Sequence, residues 1–124
     1  KHIDGDDNMV DPNIGRVQVP IDDYEANLEA LVTRLKQAAT TLIWASTTPV
    51  PEGANGRRES DPPRYNEAAA RVMEKHQVPT NDLYGVVVGR LEEIQEPANV
   101  HFTEDGSAVL AGVVAEVVRK ALKL

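Results

Sequence analysis

Apolar side chains recur at helical spacing in several stretches of this chain and form short unbroken runs in two others. From Ile21 to about Ala38, Tyr24, Leu28, Leu31, Val32 and Leu35 fall on one helical face. Asp22, Asp23 and Glu25 come early in that stretch and Arg34 and Lys36 late, the order that a helix dipole favours. Thr41 to Ser46 is a short apolar run containing Ile43 and Trp44, closed by a Thr-Thr-Pro turn, and it predicts a buried strand. Arg64 to about Gln77 predicts a second helix with Tyr65, Ala69, Val72 and Met73 on one face. Pro63 suits its first turn, and Val78-Pro79 stops it.

Val78 to Asp82 reads as a second short strand, and Leu83 to Ile94 as a weaker helix carrying Val86, Val87 and Leu91. Glu104 to Leu122 is a strong final helix whose expected buried face is Val109, Leu110, Val113, Val114, Val117 and Leu122. Residues 1 to 20, rich in Asp, Asn, Gly and Pro and without lasting periodicity, read as an irregular loop. The order is loop, helix, strand, helix, strand, helix, helix. Strands separated by helices predict an α/β fold with a parallel sheet and right-handed crossovers. Two buried strands do not complete such a sheet, because the strand at Thr41 to Ser46 keeps an unpaired apolar edge.

With 124 residues the chain fits one domain. A net charge of -7 and the lack of any Lys/Arg run argue against nucleic acid and against an anionic membrane surface as partners. No apolar run reaches the roughly 18 residues of a membrane span, and the first residues do not form a signal peptide. Without cysteine there is no thiolate nucleophile and no cysteine-type zinc site. Asp4, Asp6 and Asn8 alternate like the start of a calcium loop, but Met9 and Gly15 stand where that motif needs Gly and Glu, so a solvated loop is expected and no metal.

The candidate chemistry collects in loops. Thr103 sits where a helix N-cap belongs, with Glu104 and Asp105 behind it, which places His101 in a loop just before the last helix. Imidazole is the side chain most easily used as a proton carrier near neutral pH. In the loop after the first apolar strand, Arg57 and Arg58 form a pair able to grip a carboxylate or to serve as a solvated loop tip, and Thr47 and Thr48 either touch substrate or make the turn. Asp82 is expected to cap the helix at Leu83, and His76 to sit structurally in a last helical turn.

The segment Asn-Val-His-Phe-Thr-Glu-Asp-Gly-Ser-Ala-Val-Leu from Asn99 to Leu110 resembles the histidine segment of SGNH/GDSL-type serine hydrolases, a family of esterases and lipases. The stretches from Leu42 to Gly53, Arg64 to Ala69 and Thr80 to Tyr84 follow the same resemblance in order and spacing. It implies a three-layer α/β/α sandwich around a parallel sheet of flavodoxin-like type, with the last two strands and flanking helices in this chain. In that family the nucleophilic serine comes from a Gly-Asp-Ser segment after the first strand, and oxyanion-hole donors come from a glycine and an asparagine. The general-base histidine lies near the C-terminus, and only this one maps here, onto His101.

The resemblance therefore implies that residues 1–124 are the C-terminal part of one hydrolase domain, inactive alone, whose other half supplies the serine. Family members commonly carry an Asp three residues before the histidine; here that position is Ala98. The orienting role is left to Asn99, to a carboxylate such as Glu96, to a backbone carbonyl or to water. The expected activity is cofactor-free removal of acyl groups, acetyl among them, from a small or carbohydrate ester. A secreted or periplasmic location goes with the resemblance. The alternative is a non-catalytic α/β module for carbohydrate binding or assembly.

Overall fold

The computed structural model describes all residues, Lys1 to Leu124. Its elements are β1 (His2–Ile3), β2 (Arg16–Val17), α1 (Ile21–Ala38), β3 (Trp44–Ala45), α2 (Asp61–His76), β4 (Thr80–Asn81), α3 (Leu83–Val88), α4 (Leu91–Ile94) and α5 (Glu104–Leu122). β3 and β4 run parallel, with Trp44 opposite Thr80 and Ala45 opposite Asn81, and α2 crosses between them. The architecture is mixed α/β, as the alternation of patterns predicts. β3 pairs on one edge only, against β4.

The main core lies between α1 and α2. Leu28 and Val32 of α1 meet Ala69, Val72 and Met73 of α2 and Val78 beyond it, with Tyr24, Leu42 and Trp44 packed against the cluster. Tyr24 and Tyr65 meet edge to face, 5.0 Å between ring centroids. Around this seam Glu25 pairs with Arg71 at 2.6 Å, and Glu29 with both Lys75 at 2.9 Å and His76 at 2.7 Å. His76 thus ties two helices together from the last turn of α2.

Several boundaries differ from the sequence pattern, each for a local reason. Residues 1–20 are mostly turns and loop, as the sequence suggests, with two short strands that anchor them. β1 and β2 form an antiparallel ladder, His2 and Ile3 are buried, and the His2 N–H donates to the Gly56 carbonyl at 2.7 Å. That partner lies far along the chain, so no local periodicity announces it. α2 starts at Asp61 rather than Arg64, because Pro62 and Pro63 both fall in the first turn, where no backbone N–H is needed.

The stretch 83–94 breaks into α3 and α4 at Gly89 and Arg90. The regular ladder of β3 and β4 is two residues long, although flanking bonds from Trp44 N–H to Pro79 O and from Ser46 N–H to Asn81 O extend it. The largest difference is in α5. Of the expected buried face, Val109, Leu110, Val113 and Val117 are half-buried and Val114 and Leu122 exposed, and the only fully buried position is Gly106. α5 packs against α3 and α4 and leaves an apolar stripe uncovered. No helix is long and apolar enough to cross a membrane.

Candidate functional site at the carboxyl end of the parallel strands

The chain leaves β3 through a series of side-chain clamps. Ser46 is buried, and its Oγ donates to Asp82 Oδ1 at 3.0 Å while accepting the Tyr84 N–H at 2.9 Å. Asp82 Oδ1 also accepts the Gly85 N–H at 3.0 Å, so Asp82 caps α3 as its position before an apolar helix predicts. One residue on, the Asn66 side chain takes both backbone groups of Thr47, accepting from its N–H and donating to its carbonyl, each at 2.8 Å. A single amide thereby pairs with Thr47 as a neighbouring strand would. Thr48 is half-buried beside it.

The next clamp reaches the histidine loop. Gln95, buried just after α4, donates from Nε2 to the Pro49 carbonyl at 3.2 Å and to the Val100 carbonyl at 3.3 Å. Gln95 and Phe102 form an antiparallel bridge, the Glu96 N–H donates to the His101 carbonyl at 3.0 Å, and Ala98 turns the loop at φ 52°. The Ile94 carbonyl accepts from both the N–H and the hydroxyl of Thr103, and that hydroxyl accepts the Gly106 N–H at 3.0 Å to cap α5. A Cβ on Gly106 would lie 2.0 Å from the Ile94 oxygen, so only glycine lets α5 start this close to α4.

Within this frame His101 is exposed and its ring is held from one side. Asn99 Oδ1 lies 2.7 Å from His101 Nδ1 and also accepts the His101 backbone N–H at 3.2 Å. A backbone N–H only donates, so the Asn99 atom is the amide oxygen, and Nδ1 carries the proton that completes the second bond. In the neutral ring the lone pair is then on Nε2, which bonds to no other group of the chain. That is the tautomer a general base needs.

The sequence candidates are distributed unevenly. Asn99 meets the imidazole. Glu96 contributes its backbone to the loop, and its carboxylate makes no bond to the ring. Thr47 and Thr48 follow β3, the end of the sheet to which Gln95 ties the histidine loop. Arg57 and Arg58 are turned to other work, Arg57 donating to the Asn55 carbonyl at 3.2 Å and Arg58 to the Pro12 carbonyl. Both line an open cleft of about 600 Å³ with Asp11, Asn13 and Glu59, and neither bonds to His101.

Gly53 also lines this cleft, and a Cβ added there would lie 3.3 Å from the Cβ of Ala98 in the histidine loop. Asp4 Oδ1 accepts the backbone N–H groups of Asn8 and Asp6, which hold its carboxyl below the ordinary aspartate range. No group of three or more His, Cys, Asp or Glu side chains is placed to hold a metal ion.

Gln95, Asn66 and Gly106 do much of the positioning and do not stand out in the sequence. Gly106 alone carries a signal, as a poor helix former in the first turn of a strong helix.

No protein-family model matches the chain, and no curated protein matches it in sequence. Solved structures do match. LAE5, an α/β hydrolase from the metagenome of Lake Arreo, Spain, superposes with a TM-score of 0.65 at 20% identity, over 77% of this chain and 46% of its own. The lipase/acylhydrolase of Enterococcus faecalis superposes with a TM-score of 0.66 at 20% identity, over 85% of this chain and 54% of its own. The chain has part of the fold of these two structures. At this identity the likeness is one of architecture, and the chain spans about half the length of each structure it matches.

Proposed function

We propose that this chain is the histidine-bearing part of a serine ester hydrolase that removes acyl groups, acetyl among them, from a small or carbohydrate ester. The observation that carries the reading is the bond from His101 Nδ1 to Asn99 Oδ1. It orients the ring and leaves Nε2 open on a loop that Gln95 fastens to the segment leaving β3. In open parallel sheets, ligands bind beyond the carboxyl ends of the strands.

In this reading a serine from the remainder of the domain attacks the ester carbonyl while Nε2 takes its proton. The imidazolium then returns that proton to the departing alcohol oxygen, and water repeats the cycle on the acyl-enzyme. Asn99 supplies orientation and a dipole but no charge, so the unit works as a Ser/His pair with a neutral aligning partner. The single-edged β3 and the uncovered stripe of α5 are the surfaces that the rest of the domain would cover.

The test is hydrolysis of 4-nitrophenyl acetate by the protein with its full domain. His101→Ala is expected to lower kcat by about 10²- to 10⁴-fold, and wild-type turnover in that variant would end the proposal. One observation favours a second reading, a non-catalytic carbohydrate-binding module: no carboxylate reaches the imidazole. That reading predicts sugar binding without turnover in the wild type.

A further inference from the structure

A single hydrogen bond joins the histidine loop to the sheet. Among residues 95–103, only Gln95 bonds to a group beyond the loop and its flanking helices, from Nε2 to the Pro49 carbonyl at 3.2 Å. The other bonds stay within the loop, such as those from Glu96 N–H to His101 O and from His101 N–H to Asn99 Oδ1, or reach α4 and α5. The same nitrogen donates to the Val100 carbonyl at 3.3 Å, one residue before His101. One amide nitrogen thus holds a carbonyl on each side of the gap between sheet and loop.

The two sides of that bridge are held unequally. On the sheet side, Ser46 bonds to Asp82 and to Tyr84, and Asn66 takes both backbone groups of Thr47, so Pro49 ends a segment already fastened to α2 and α3. On the loop side, Gln95 follows α4, a helix of four residues or about one turn. Gln95 and Pro49 are both buried, where a hydrogen bond is stronger than in water. Oε1 of Gln95 accepts no bond. Turned the other way, the amide would set that oxygen against two carbonyls, so the nitrogen is the atom that faces them.

We infer that Gln95 is a positioning residue for the reaction: its two N–H bonds set where His101 Nε2 stands relative to the end of the sheet, and kcat depends on them while KM does not. The inference rests on the esterase reading of His101. A base displaced by about 1 Å from its aligned position can lose about 10²-fold in rate, and the carbonyl that Gln95 holds in the loop belongs to the neighbour of His101. Gln95 makes no bond to the imidazole and acts through the loop backbone. Without its two donors, the loop keeps hydrogen bonds only to itself and to the helices at its ends.

The experiment compares wild type, Gln95→Met, Gln95→Asn and His101→Ala in the full domain, with 4-nitrophenyl acetate as substrate. Methionine fills similar space and loses both donors, and asparagine keeps the amide but is one methylene too short to span the two carbonyls. In Gln95→Met kcat should fall roughly 10- to 100-fold with KM within about twofold of wild type, and in Gln95→Asn it should fall less. Hydrogen exchange gives a second readout: the Glu96 N–H, bonded to the His101 carbonyl, should exchange faster in the folded variants. If Gln95→Met does not fold, Gln95→Asn decides on both readouts. Wild-type kcat in the folded Gln95 variants beside an inactive His101→Ala overturns the inference and leaves the esterase reading standing, as does a loss confined to KM. A fully active His101→Ala overturns the esterase reading and with it the role in catalysis, and unchanged exchange at Glu96 overturns the tether itself.

Discussion

Asn99 Oδ1 accepts two hydrogen bonds from the same residue, one from the backbone N–H of His101 and one from its ring Nδ1. The pair fixes which ring nitrogen carries the proton, and it does so without a charge. Replacing Asn99 by Asp keeps the geometry and adds a carboxylate, which favours the imidazolium. The histidine must be neutral to act as base, so a raised pKa moves the acid limb of the pH–rate profile to higher pH in Asn99→Asp. Asn99→Ala, which loses the alignment, is expected to lower kcat by roughly tenfold or more with little change in KM. Profiles of kcat for the three proteins in the full domain check both statements.

Gly106 carries the load of bringing α5 against α4. Gly106→Ala places a methyl group on the Ile94 carbonyl, the oxygen that also holds both donors of Thr103. Helix propensity alone would make the change favourable, but the steric effect wins because the obstacle is backbone and not a flexible side chain. The expected cost is about 2 kcal/mol, seen as a lower urea midpoint at unchanged slope. A neutral or stabilising result would show that α5 can shift away at no cost.

The seam between α1 and α2 sets an acid dependence. The Arg71 guanidinium holds the Glu25 carboxyl below the ordinary glutamate range, and Lys75, then His76, do the same for Glu29. A group whose folded pKa is depressed contributes stability that is complete above its unfolded pKa and is lost as pH falls through the folded value. The urea midpoint should therefore drop between pH 6 and pH 3, and drop less in the double variant Glu25→Gln, Glu29→Gln. Because these pairs are partly exposed, about 1 M salt should shrink the difference between the two proteins.

Much of the fold is legible along the chain. α1 and α5 end where capping and periodicity place them, and Asp82 caps α3 as its position implies. What the sequence hides is set by distant partners. The burial of His2 depends on Gly56, the anchoring of the histidine loop depends on Gln95 reaching Pro49, and the alignment of Thr47 depends on Asn66. Amide side chains carry no periodic signature, so a clamp of this kind is visible only once the loops are folded. The apolar stripe of α5 is readable as a helix face, but periodicity does not say what lies across from it. His101 could be placed before a helix from Thr103 alone, whereas its tautomer required the two bonds to Asn99.

The most direct test of the central claim asks whether one imidazole is the base. His101→Gly in the full domain should lose at least about 10²-fold in hydrolysis of 4-nitrophenyl acetate. Free imidazole added to that variant should restore a saturable part of the rate, above its background reaction with the ester. Full activity in His101→Gly, or a loss that imidazole leaves untouched while the variant stays folded, would contradict the account.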